Sequence, residues 1–212
     1  MIRFEDLDFE IVRADGSVAE NVEMVRSWKD GCCTFRLTNC SGEMVRLKEV
    51  VVFRGAMPYP ASTRFYGEGF NMLSQYQGTL EHFELAGAYS DRLHYKLPSK
   101  KGFFTCYNLL LLFPEGKEIL LAGFSSCRRF ANEIRFSPDS FEFVVDCGGL
   151  ELPPGESLDL EEFFFRYGSS REALLEDFAM RIRVHHPVPE YRERITGWCS
   201  WYFYGPGVTE RN

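Results

Sequence analysis

No Cys-x-x-Cys pair occurs among the seven cysteines of this 212-residue chain, which are Cys32, Cys33, Cys40, Cys106, Cys127, Cys147 and Cys199. Zinc sites are normally built from ligand pairs about two to four residues apart, so no metal is expected. The thiols read instead as reduced, small apolar side chains. Gly67-Glu68-Gly69 lacks the third glycine of a dinucleotide fingerprint, and no Gly-x-Ser-x-Gly elbow is present. Neither a nucleotide cofactor nor an elbow-type serine nucleophile is therefore expected, and nothing implies any other cofactor. Positive charge is scarce: 24 Lys and Arg face 31 Asp and Glu, a formal net charge of −7. Phosphate binding draws on clustered Lys and Arg, which argues against nucleic acid as the main partner. The longest apolar run, Leu109 to Phe113, is far too short to cross a bilayer, so no membrane partner is expected. The opening Met1-Ile2-Arg3-Phe4-Glu5-Asp6 has no basic region followed by an apolar stretch. With free thiols, that gives the expectation of a cytoplasmic protein.

What is abundant is aromatic. The chain is 45% hydrophobic and 16% aromatic, with 20 Phe and 10 Tyr, at an ordinary 26% charge. A chain of this length buries roughly 70% of its unfolded surface, so it supports a core without staples. Rings at this density mean either thick β-packing or platforms for stacking sugars. From residue 1 to about 166 the pattern is short apolar runs between turn residues. Phe4, Leu7, Phe9 and Ile11 end at Ala14-Asp15-Gly16-Ser17, and Thr34 to Thr38 alternates, with Phe35 and Leu37 on one face. Val45 to Phe53 reads as a central strand. Phe103 to Phe113 and Lys117 to Phe124 flank Pro114-Glu115-Gly116, and Arg129 to Phe136 and Phe141 to Asp146 flank Ser137-Pro138-Asp139-Ser140; both read as hairpins. Leu158 to Arg166 follows the turn-rich Leu152 to Glu156. Strands at this spacing predict an all-β chain, a large antiparallel sandwich over residues 1–168.

The grammar then changes. Ser169-Ser170-Arg171-Glu172 is a capping-box signature, with Ser169 placed to accept from the Glu172 amide. Leu174, Phe178 and Ile182 follow at steps of four, with Leu175 and Ala179 beside them: one apolar helical stripe. His185-His186-Pro187-Val188-Pro189 ends it, so 169–194 is predicted as a linker helix and a proline-containing connection. Ile195 to Tyr204 is short and aromatic, and Thr209-Glu210-Arg211-Asn212 reads as a capped helix start. A strand, a loop and a helix start open a βα unit, and 195–212 is predicted as the first strand of a truncated (β/α)8 barrel.

Few residues stand out as chemistry. His185 and His186, adjacent at a helix end, are placed better for capping than for one shared ion. Lys100-Lys101 and Arg128-Arg129 are isolated basic pairs. Glu68, and Asp146 near Gly148-Gly149, are the carboxylates worth watching, although no spacing marks a catalytic pair. Trp198-x-x-Trp201-Tyr202-x-Tyr204 is the most unusual segment. Its rings either fill a barrel interior or, at the strand's far end, present Trp201 and Tyr202 to a pyranose face.

Gly197-Trp198-Cys199-Ser200-Trp201-Tyr202, followed by Val208-Thr209-Glu210, resembles the first barrel strand of glycoside hydrolase family 36, the α-galactosidases (melibiases) and their raffinose-synthase relatives. The layout resembles theirs too: a supersandwich-like N-terminal β-domain, a helical linker, then a catalytic barrel. Tyr66 to Asn71 resembles a sandwich loop that reaches over the active site, with Phe70 near a position that often carries tryptophan. The resemblance implies retaining hydrolysis of terminal α-galactosides by two Asp residues on later strands, beyond Asn212. It implies that Trp201 and Tyr202, with Trp198 and Phe70, line the sugar pocket, that no catalytic residue lies in this chain, and that the full-length protein is a homo-oligomer. The rival reading is a stand-alone carbohydrate-binding or structural β-sandwich module, with Phe65, Tyr66 and Phe70 as its platform.

Overall fold

The computed structural model describes residues 1–189 and 196–211. Its elements, in chain order, are β1 (Asp8–Arg13), β2 (Val22–Lys29), β3 (Cys32–Asn39), β4 (Val45–Ala56), β5 (Arg64–Glu68), β6 (Gln75–Thr79) and β7 (His82–Leu85), then β8 (Phe104–Phe113), β9 (Ile119–Phe124), β10 (Ala131–Phe136), β11 (Ser140–Leu152), β12 (Ser157–Asp159) and β13 (Phe163–Gly168), and finally the helices α1 (Arg171–His185) and α2 (Trp201–Tyr204). All strand pairs are antiparallel, in one continuous ladder ordered β1-β4-β11-β10-β8-β9-β13-β3-β12. β2 adds to β3, while β5 adds to β8 and carries β6 and β7. The expected sandwich is there, folded from a single sheet that nearly closes on itself.

Alternation decides which face is buried. Phe141, Phe143 and Val145 of β11 point into the interior together with Val50 and Phe53 of β4. Phe163 of β13 meets them from the opposite layer: its ring centroid lies 4.8 Å from Phe53, 4.9 Å from Phe143 and 4.9 Å from Phe4. Most of the aromatic content is thereby core packing in tilted and edge-to-face geometry, which adds about 0.5–1.5 kcal/mol per pair beyond area burial. The outward face of β10 and β11 carries charge. Arg135 donates to Glu49 at 2.8 and 3.1 Å and to Glu133 at 2.8 Å, and Lys100 reaches Glu142 at 2.7 Å. Lys100 is thus bound to the sheet rather than part of a basic patch.

α1 covers the other side of β8, β9 and β13. Leu174 and Phe178 are buried against Cys32, Leu109, Leu111, Leu121 and Phe164, with Leu175 and Ile182 at the margin, as the stripe predicted. The cap differs by one residue. Ser170, not Ser169, is the N-cap, accepting from the Ala173 amide at 3.2 Å, while Glu172 turns back to the Ser170 hydroxyl at 3.4 Å. Two adjacent serines offer the same chemistry, and the register that buries Leu174 and Phe178 selects the second.

The segment after the linker departs from expectation. Trp201–Tyr204 is a single helical turn, with the Phe203 and Tyr204 amides on the Ser200 carbonyl at 3.1 and 2.8 Å, rather than a strand. A strand needs a neighbour for its backbone groups; without one, a local turn satisfies them within the segment. Ile195, like Glu190 to Arg194 of the connection and Asn212, lies outside the described residues.

Candidate functional site

Two structured features sit at the end of β5. The first is a bulge. Gly67 pairs with Leu110 but Glu68 pairs with Tyr107, so Asn108 and Leu109 are accommodated between them. Asn108 takes φ +61°, a conformation asparagine tolerates and branched residues do not. Its carbonyl turns towards Gly123 of β9, where a Cβ would collide with it. The bulge aims the Asn108 side chain at Glu68, with Nδ2 to Oε2 at 3.5 Å. Burial pushes the Glu68 carboxyl above its ordinary range, against the opposing pull of Asn108. Both residues border a cleft of about 400 Å³ between α1 and the sheet, which Leu109, Phe178, Ile182, Cys127 and His186 also line. Replacing Asn108 with valine is expected to cost about 1–3 kcal/mol in thermal unfolding, and replacing it with glycine to be near neutral. Equal melting of the two variants would contradict the conformational role.

The second feature is the loop 69–74, which Asp91 holds from below. Asp91 is fully buried and accepts from the Phe70 amide at 2.7 Å, the Asn71 amide at 3.2 Å and the Tyr76 hydroxyl at 2.9 Å. Burial pushes the Tyr76 hydroxyl up to about 12, so it remains a donor at neutral pH. Gly69 is required at the loop's start, because a Cβ there would strike the Asp91 carboxylate and Ser74. The loop closes through Gly69 N to Ser74 O at 2.7 Å and Asn71 Nδ2 to the Tyr95 hydroxyl at 3.0 Å. Phe70 is set edge-on between Tyr95 and Tyr107, at 5.4 and 5.5 Å, and is still 47% exposed. Met72 and Leu73 are exposed beside it. The loop is thus held at several points while its apolar side chains Phe70, Met72 and Leu73 face solvent.

The other expected sugar contacts stand apart. Trp198 is 77%, Trp201 64% and Tyr202 93% exposed, and no ring contact joins them to Phe70. The three-ring platform does not form: Phe65 is buried against Phe136 and Phe83, while Tyr66 faces the opposite side of β5. In a strand, neighbouring residues point to opposite faces, so Phe65 and Tyr66 cannot share one. Asp146 accepts from the Gly148 amide at 2.9 Å where the register of β11 is interrupted between Asp146 and Leu150. His185 binds Glu162 at 2.9 Å and His186 accepts from the Cys127 amide at 3.2 Å. Arg128 donates to the His185 carbonyl at 2.7 Å, and Arg129 lies over the Phe130 ring. Cys32, Cys33, Cys106 and Cys147 are buried, with Cys33 and Cys147 pushed up to about 12 by burial, whereas Cys40, Cys127 and Cys199 are exposed. Among the described residues no cluster of His, Cys, Asp or Glu could hold a metal ion, and no helix is long and apolar enough to cross a membrane. Asn108, Asp91, Tyr95 and Tyr107 escaped sequence reasoning. Only Asn108 left a signal, as a polar residue opening the apolar run Leu109 to Phe113.

No protein-family model matches the sequence, and no curated protein matches it. Among solved structures it is similar to an α-galactosidase from Lactobacillus brevis, at 10% identity over 82% of this chain and 31% of the other, with a TM-score of 0.46. It is also similar to an α-galactosidase from Thermus thermophilus in complex with p-nitrophenyl α-D-galactopyranoside, at 17% identity over 89% and 36%, TM-score 0.38. A third is a family 36 α-galactosidase variant from Geobacillus stearothermophilus in complex with raffinose, at 10% identity over 76% and 30%, TM-score 0.43. The chain thus spans about a third of the length of each of these structures.

Proposed function

We propose that this chain is the N-terminal, non-catalytic part of an α-galactosidase-like glycosidase that works with retention. In this reading residues 1–168 are the supporting sandwich, 169–194 the linker, and 195–212 the opening of a catalytic barrel whose nucleophile and acid/base aspartates follow Asn212. Trp201 and Tyr202, with Trp198, supply stacking surface for the sugar, and Phe70 on its braced loop adds an apolar contact at the pocket's rim. The helical turn Trp201–Tyr204 would then be replaced by a strand once barrel neighbours supply hydrogen-bond partners.

The observation that carries this reading is the joint exposure of Trp198 and Trp201 within the Gly197-Trp198-Cys199-Ser200-Trp201 motif and of Tyr202 and Phe203 directly after it. Exposed apolar groups on that scale mark a surface that meets a ligand or another surface. The burial of Phe65 weighs against the rival platform of a stand-alone sugar-binding module. The chain of 212 residues is expected to leave p-nitrophenyl α-galactopyranoside intact. Turnover by this chain alone would place catalytic carboxylates inside it and overturn the proposal.

A further inference from the structure

Among the edges of the sheet, one is both long and regular in register, although it carries charged residues. β1 carries two register irregularities, and its free side is partly occupied by Arg13 N to Ser17 O and Ala19 N to Ile11 O, both 2.8 Å. β7 has four residues and β12 three. β2 has eight, pairs with β3 in unbroken register from Val22↔Asn39 to Lys29↔Cys32, and contains no proline or bulge. A long edge in regular register can template pairing with another strand where the charges on the two strands are complementary.

The direction of its free groups follows from its neighbours. Asn39 uses its amide and carbonyl on Glu156 and Gly155, and the Val22 amide is turned to Ala19, so Val22↔Asn39 is a non-hydrogen-bonded pair. Hydrogen-bonded and non-hydrogen-bonded pairs alternate along an antiparallel ladder. Glu23, Val25, Ser27 and Lys29 therefore bond to β3, while the amides and carbonyls of Met24, Arg26 and Trp28 face outward. The solvent face of this edge shows Val25 at 59% exposure, with Phe9 and Val18 exposed beside it around a groove of about 510 Å³.

We infer that β2 pairs antiparallel with β2 of a second copy, about a two-fold axis at Arg26, to form a homodimer with a continuous sheet. Outward groups on even-numbered residues restrict the axis to a few registers, and the one centred on Arg26 is self-complementary in charge. It sets Glu23 against Lys29 twice on the solvent face, with Val25 against Ser27 between them, and Met24 against Trp28 on the inner face. The two Arg26 heads do not meet. Each is turned into its own subunit, Nη2 donating to the Leu7 carbonyl at 2.8 Å and lying over Phe9 and Phe53.

Light scattering during size-exclusion chromatography should give twice the 24.6 kDa chain mass. Met24→Pro removes an outward amide without touching the β2–β3 ladder and should yield monomer. Lys29→Glu should raise the dimer dissociation constant about tenfold, and Glu23→Lys added to it should restore the wild-type value, which a misfolded variant could not do. In the dimer the Met24, Arg26 and Trp28 amides should exchange slowly, and on dilution they should become fast. A chain that stays monomeric at every concentration would overturn the inference. So would a dimer indifferent to both Met24→Pro and Lys29→Glu, which would assign association to another surface, such as Trp198 to Phe203.

Discussion

Replacing Glu162 with alanine is expected to lower the stability of the chain by about 3 kcal/mol, the low end of the cost of breaking a buried ion pair because Arg181 keeps 34% exposure. Glu162 precedes β13, and its carboxylate ties α1 to the sheet. Arg181 donates to it at 2.6 Å, the Ser125 hydroxyl at 2.6 Å and His185 binds at 2.9 Å, so two positions of the last turns of α1 converge on one anion. Alanine would leave the Arg181 guanidinium, itself only partly exposed, without its partner. Burial pushes the Glu162 carboxyl up, but the bonds from Arg181, Ser125 and His185 outweigh it and bring it down to about 2 from an ordinary 4.5. A group depressed in the folded state stabilises it above its unfolded value and ceases to do so as the pH falls through the folded one. The contribution is therefore complete above about pH 4.5 and is lost between there and about pH 2. Urea unfolding of the wild type and Glu162→Ala at pH 7 and pH 3 tests this: the gap between them should narrow in acid. An equal gap at both would mean that the carboxylate's charge is not what anchors α1.

Replacing Asp91 with alanine is expected to have a comparable effect, about 2–4 kcal/mol, concentrated in the loop 69–74. The substitution strands the Phe70 and Asn71 amides and the Tyr76 hydroxyl. Each buried donor left unmade costs about 1–3 kcal/mol, reduced here because the loop lies at the surface and water reaches it on opening. Phe70 would lose its setting between Tyr95 and Tyr107, and the apolar display of Phe70, Met72 and Leu73 would lose its shape. Hydrogen exchange at Phe70 and Asn71 should accelerate strongly while β4 and β11 remain protected. Unchanged protection at those two amides would show that the loop is braced by something other than Asp91.

The physical basis of these two sites explains what was legible in the sequence. Strand periodicity, turn chemistry and the 3.6-residue stripe are local, so the sandwich, both hairpins and the buried face of α1 follow from short windows such as Thr34–Thr38 and Leu174–Ile182. The bulge at Asn108 and the Asp91 brace depend on partners 40 and 20 residues away or on glycines in neighbouring strands, which no window contains. Phe65 and Tyr66 illustrate the reverse error, since adjacency in sequence suggested a shared surface that strand geometry forbids. The Trp198–Tyr204 segment was legible as a motif but not as a conformation, because a strand exists only with a neighbour.

The proposed role is tested by kcat/KM for p-nitrophenyl α-galactopyranoside, measured on a protein that joins this chain to the catalytic barrel proposed to follow it, beside its Trp201→Ala variant. The wild type should turn the substrate over and the variant should lose about a hundredfold, the worth of roughly 2–3 kcal/mol for an aromatic anchor, with the fold unchanged by circular dichroism. A joined protein without turnover, or a Trp201→Ala variant equal to the wild type, would contradict that role.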